Sequence, residues 1–181
     1  MTVGRKIYAL ICLSCVGLLG ITFLGSREMA SGLLQQKQIE LQHLGEVALG
    51  IAKEEHAAAQ KGDISAADAQ KRAMARVAAL RYGSNDYYWI NDMHPKMVMH
   101  PIKPEMNGND LSTYKDPNGK FLFVDFVDTV KKSGAGFVPY EWPKPGFEKP
   151  QPKLSYVVGF APWNWVIGTG VYIDDLTGLR P

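Results

Sequence analysis

The sequence predicts an α+β domain with a roughly five-stranded antiparallel sheet, and three observations carry that expectation. Between Arg27 and about Tyr82, apolar residues recur at three- and four-residue steps, the signature of amphipathic helix. After Asn85 aromatic and β-branched residues dominate, broken by closely spaced turn signals, as antiparallel strands require. Ahead of both lies a run of twenty uncharged residues, Ile7 to Ser26.

The elements follow in order. As a helix at ~1.5 Å per residue, Ile7–Ser26 spans ~30 Å, the thickness of a hydrocarbon core. Arg5 and Lys6 precede it directly, which places the N-terminus in the cytoplasm and the rest outside. A cleaved signal peptide is the rival, since Met29-Ala30-Ser31 offers small residues, although its apolar region is usually shorter. The expected organisation is therefore residues 1–26 as cytoplasmic tip and transmembrane anchor, and 27–181 as an extracytoplasmic domain. A long helix continues from Arg27 to Gln60 with Leu33, Leu34, Leu41, Leu44, Val47, Ala48 and Ile51 on its apolar face. Such a helix can cover a sheet, transmit along its axis, or pair with a second copy as a homodimer.

Lys61-Gly62-Asp63 breaks the helix, and Ser65 with Asp68 three residues on starts the next, Ala66–Leu80. Gly83 is expected as its left-handed C-cap. Strands are expected at Asp86–Asn91, Met97–His100, Gly136–Glu141, Lys153–Phe160 and Val166–Ile173, in meander order with a helix, Phe121–Lys132, inserted after the second. Asn91–Pro95 reads as a tight connection and Asp116-Pro117-Asn118-Gly119 as a turn. Pro139 suits an edge strand and Pro143–Pro152 a loop, because proline cannot donate to a ladder.

Composition excludes several functions. From Arg27 onward the remaining basic residues match the 18 acidic ones, so no clustered cation invites nucleic acid. Cys12 and Cys15 fall inside the apolar run and read as small lipid-facing residues; the second half of a zinc site is missing. No nucleophile elbow or phosphate loop is present, Gly134-x-Gly136 and Gly168-x-Gly170 lack a third glycine, and Asp116-x-Asn118-Gly119 lacks the ligands of a calcium loop. The expectation is a non-enzyme with no catalytic residue, metal or cofactor.

The candidate site is aromatic and cationic. In Tyr87-Tyr88-Trp89-Ile90-Asn91, alternation puts Tyr87, Trp89 and Asn91 on one face and Tyr88 and Ile90 on the other. His43 and His56 are too far apart on the helix to pair as ligands and read as solvated; His94 sits in a turn, and Asp174-Asp175 is a solvated strand exit. His100 ends an apolar strand before Pro101, as a core histidine or a ligand contact. Lys153 starts an apolar strand: it is solvated, or it points inward and needs an anion. One cation among Tyr, Trp and His donors with apolar walls suits a small carboxylate.

These stretches resemble a known family. Tyr87-Tyr88-Trp89-Ile90-Asn91, Met97-Val98-Met99-His100-Pro101, Asp116-Pro117-Asn118-Gly119-Lys120, Gly136–Trp142, Lys153–Val157 and Trp165–Tyr172, in this order, resemble the single Cache domain, type 2. The resemblance implies a long N-terminal helix packed on a PAS-like sheet, in the periplasmic sensor region of a methyl-accepting chemotaxis protein anchored in the bacterial inner membrane. It implies a ligand of the acetate, propionate, pyruvate or lactate class. Tyr87 and Trp89 would be aromatic walls and donors, His100 and Tyr140 hydrogen-bond partners, and Lys153 the carboxylate's counter-ion; the choice between Tyr87 and Tyr88 stays open. Such a receptor continues past its last strand into a second membrane helix. Ending at Pro181, the sequence is expected to be either a receptor fragment or a stand-alone anchored protein acting as an assembly subunit of a membrane complex.

Overall fold

A computed structural model describes residues 3–173, and for most of residues 5–31 the backbone alone. Two compact units result, Met1–Lys37 and Gln38–Pro181. The first is the leading part of a helix, α1, that runs over Val3–Lys61. The side chains of the anchor expected at Ile7–Ser26, those of Cys12 and Cys15 among them, lie outside the described residues apart from Ser14 and Val16. Among the described residues no helix is long and apolar enough to cross a membrane.

In the second unit, α1 ends where the chain adopts a left-handed turn at Gly62, φ 83°, and the amides of Gly62 and Asp63 close on Ala59 and Ala58. α2, Ala66–Ala79, is capped as expected: the Ser65 hydroxyl accepts from the Asp68 amide and donates to its carboxylate. Its end differs. Leu80 leaves the helix in extended geometry, and Gly83, φ 52°, serves a separate turn that closes Asp86 on Tyr82.

The strands are β1 (Tyr88–Asp92), β2 (Met97–Met99), β3 (Ala135–Pro143), β4 (Pro150–Phe160) and β5 (Trp165–Tyr172), with α3 (Leu122–Ser133) between β2 and β3. Every pairing is antiparallel, in the order β2-β1-β5-β4-β3. This is not a simple meander: the chain leaves one edge at β2, crosses through α3 to the opposite edge, and returns so that β5 pairs with β1. Pro139 lies on edge strand β3 as expected. Of the Pro143–Pro152 segment, residues 144–149 form the expected loop, while Pro143 and Pro150–Pro152 are ladder, with Pro143 opposite Pro150; prolines persist there because β3 has no outer neighbour and β5 pairs with β4 only from Lys153 on.

Each sheet face has its own core. One carries Tyr88, Ile90, Tyr156, Val158 and Ile167 against α1 and α2. There α1 buries Leu41, Ala48 and Ala52 but leaves Val47 exposed, so the buried stripe is narrower than periodicity suggested. Small residues dictate it: a Cβ at Gly45 would meet the Tyr156 ring, so only a glycine lets the helix lie this close. Buried Glu55 joins the two helices through Arg72 at 3.1 Å and Arg76 at 2.7 Å. His56, expected in solvent, is half-buried with edge contacts to Phe160 and Trp163, because the β4–β5 turn folds beneath it. The opposite face carries Trp89, Val138, Tyr140, Trp142 and Val157 under α3 and the segment holding Met106 and Leu111.

Candidate functional site

Strand alternation builds the site. β1 sends Tyr88 toward the helices and its neighbours Tyr87 and Trp89 toward the opposite face, resolving the tyrosine pair in favour of Tyr87. Across the sheet, Tyr140 pairs with Lys153 and Lys153 with Tyr172, which places the three side by side. Two glycines make room. A Cβ at Gly168 would enter the indole of Trp89, and one at Gly170 would strike the Ser155 hydroxyl. Gly168-x-Gly170 is therefore a floor for other side chains, not a phosphate loop.

A narrow, partly open pocket with a void of only ≈ 10 Å³ is lined by Tyr87, Trp89, His100, Tyr140 and Trp142 with Leu122, Phe123 and Phe126 of α3. Four of the five expected site residues meet there. Lys153 is not in its lining, but lies beside it: its Nζ is 4.2 Å from the Tyr87 ring centre, 4.8 Å from Tyr172 and 5.7 Å from Trp89. With Tyr140 it also borders an open cleft of ≈ 210 Å³ beside Asp116, Lys120 and Glu141.

The side chains are locked by their own partners. His100 precedes Pro101, and the chain turns so that the amides of Ile102 and Lys103 both donate to its Nδ1, at 3.3 and 3.0 Å. A nitrogen accepting two N–H groups carries no proton, so Nε2 carries it and the ring is a fixed donor. Burial, then the charges of Lys153 and Lys103, push His100 down to about 3. The Tyr140 hydroxyl shares a 3.0 Å hydrogen bond with Ser155, and Tyr172 donates to the Pro143 carbonyl at 2.9 Å. Trp89 donates to Asn91 at 3.0 Å. Burial pushes the Tyr87, Tyr140 and Tyr172 phenols up, so all stay protonated.

Lys153 is the exception. It is 1% exposed, and among the described residues no carboxylate stands within ion-pair distance. The aromatic faces favour a cation, but they supply no counter-charge. Burial pulls the amine down to about 7, against a smaller opposing pull from Asp86.

A buried carboxylate also frames the site. Asp116 accepts from the amides of Asn118 and Lys120, as its turn requires, and its other oxygen takes the Glu141 amide at 3.1 Å. It thereby ties the turn to β3 beside Tyr140. His43 is exposed, and His94 faces Asp110 in the β1–β2 turn at 3.4 Å. Asp174 and Asp175 lie outside the described residues. Among the described residues no cluster of His, Cys, Asp or Glu could hold a metal. Sequence reasoning missed Tyr172, Trp142 and Phe126. The period-two series Val166, Gly168, Gly170, Tyr172 carried the signal for the first.

Comparisons with known proteins agree with this architecture. The family described as Single Cache domain 2 matches residues 33–179. The methyl-accepting chemotaxis protein McpP of Pseudomonas putida is 38% identical over 176 residues, 97% of this chain and 32% of the relative. The sensor histidine kinase MctS of Rhizobium johnstonii is 31% identical over 144 residues, 80% of this chain and 30% of the relative. The chain thus spans about a third of the length of these curated relatives. A solved periplasmic sensor domain of a chemotaxis protein superposes with a TM-score of 0.77 at 48% identity, covering 78% of this chain and 98% of that one. A Cache chemosensory domain, solved for the structural basis of its carboxylic acid recognition, also gives 0.77, at 43% identity over 80% of this chain and 98% of the other.

Proposed function

Because this chain belongs to the single Cache domain 2 family, we propose that it is the extracytoplasmic sensor part of a transmembrane chemoreceptor, and that its cavity binds a short carboxylate. The observation that carries this reading is the Lys153 amine, buried against three aromatic rings with no ion-pair partner among the described residues. A carboxylate would supply the missing charge. His100 Nε2–H lines the same space and offers a hydrogen bond, the Tyr87 and Tyr140 phenols border it with second lone pairs still able to accept, and Trp89 and α3 form apolar walls for a short tail. Acetate, propionate, pyruvate and lactate fit this chemistry.

The assignment of residues 1–26 as anchor and 27–181 as periplasmic domain completes the proposal. It rests on the apolar run and the preceding basic pair. Exposed Leu33, Leu34, Ile39 and Val47 on α1 support pairing with a second copy. No residue is assigned a catalytic role.

A thermal-shift screen of the chain against two- to four-carbon acids tests the reading. We expect at least one to raise the melting temperature by several degrees, and Lys153→Ala to remove the shift. A flat response from well-folded protein to every acid would overturn it.

A further inference from the structure

The reading of the cavity as a carboxylate site leads to a second one about what enters with the acid. We infer that the site takes up a proton together with its ligand: the carboxylate is held by a Lys153 ammonium that the protein completes only on binding.

The geometry behind this is the isolation of one amine. Lys153 sits on β4 between β3 and β5, and among the described residues what faces it from each packed element is uncharged or too remote to pair. β1 presents the rings of Tyr87 and Trp89, β5 that of Tyr172, and β3 Tyr140, all protonated phenols or indole. From the end of β2 comes His100, locked neutral by the two amides on Nδ1 and adding repulsion when the amine is charged. Two further cations border the region, Lys103 over Trp142 and Lys144 over Tyr172. Among the described residues the one acidic group acting on it is Asp86, and burial outweighs that pull. An ammonium placed here costs more than a neutral amine until an anion arrives.

The proton balance is closed by solvent. Above about pH 6 a short carboxylic acid is already ionised and brings no proton. The Lys153 nitrogen lone pair therefore takes one from water or buffer as the carboxylate seats. With the empty site titrating near 7, little uptake occurs below that pH, since the ammonium already exists. Above it, uptake approaches one proton per acid, and the dissociation constant weakens about tenfold per pH unit until the bound complex itself deprotonates.

Isothermal titration of the whole chain tests this, using the tightest binder among acetate, propionate, pyruvate and lactate. Measurements at about pH 6 and about pH 8.5, each in buffers of low and high ionisation enthalpy, count the protons taken up. We expect about one per acid at the higher pH and about a tenth of that at the lower. Uptake confined to the acidic side would assign the proton to His100 and overturn the inference. Binding with no uptake at either pH would overturn it too, while leaving the carboxylate site intact. No heat with any of the four acids would sink both readings.

Discussion

The two faces of the sheet use the same residue types for opposite ends. Toward α1 and α2, Tyr88 donates to the Leu44 carbonyl at 3.2 Å, Tyr82 donates to the Gly170 carbonyl, and Tyr156 lies flat where Gly45 leaves space. Toward α3, Tyr140 and Tyr172 are equally well satisfied, by Ser155 and by Pro143. Counting phenols therefore does not tell the binding face from the packing face. What differs is one buried lysine amine without an ion-pair partner and one imidazole N–H without a hydrogen-bond acceptor among the described residues. The Tyr82 and Tyr88 phenols of the helix face are satisfied internally; on the cavity face the lysine amine and the imidazole N–H are not, among the described residues.

The largest expected effect comes from removing that asymmetry. Lys153→Met keeps an unbranched apolar side chain one atom shorter but deletes the charge, and should make the cavity face resemble the helix face. Acid binding should fall at least about 100-fold, as expected when a buried counter-charge is lost. The empty protein should gain about 1–4 kcal/mol near neutral pH, because a costly buried cation is gone. The gain has a pH signature. An unfolded lysine titrates at 10.5 and the folded one near 7, so between these values the unfolded chain holds more protons. Wild-type stability therefore rises with pH across that window, and the variant's advantage shrinks. Melting curves of both proteins from pH 6 to 10 read this directly; a variant less stable than wild type at pH 7 would refute it.

A smaller effect sharpens the role of the floor. Gly168→Ala places a methyl where the Trp89 indole lies, and the indole cannot retreat from Phe126, 5.3 Å away across the cavity wall. We expect a loss of about 1–3 kcal/mol in stability from overpacking, with weakened acid binding. Denaturant melts and the acid titration measure the two; unchanged values for both would mean that Trp89 moves freely and is no wall.

How much of this was legible beforehand follows from the physics of each element. Alternation in Tyr87-Tyr88-Trp89 was legible because one period-two strand decides both faces at once. The Ser65 cap was legible because its partner is three residues away. The β1–β5 pairing was not, since it joins residues separated by most of the domain, and nothing local to Trp89 announces Gly168. The same distance hid Tyr172 from the site, although its row with Lys153 and Tyr140 follows once register is known. Lys153 was an ambiguity that only packing could decide: a lysine at the start of a strand is usually solvated, and here β4 begins three residues earlier, at Pro150, and carries it into the interior. Gly83 misled because a left-handed glycine near a helix end served the turn beyond it.

The finest test asks whether the faces act independently. Tyr87 and Tyr88 are adjacent, so a shift of β1 on ligand binding would move the Tyr88 hydroxyl against α1 as well. Tyr88→Phe removes that hydroxyl and leaves its ring in the helix-side core. The Leu44 carbonyl lies within α1 and keeps its helical partner, so the loss should be about 0.5–1.5 kcal/mol, the net worth of one hydrogen bond. Acid affinity should stay within about twofold if the two faces are energetically separate. A larger change in affinity, at unchanged cavity chemistry, would show that ligand and long helix read the same strand, and the division between packing face and binding face would then be a division of chemistry but not of energy.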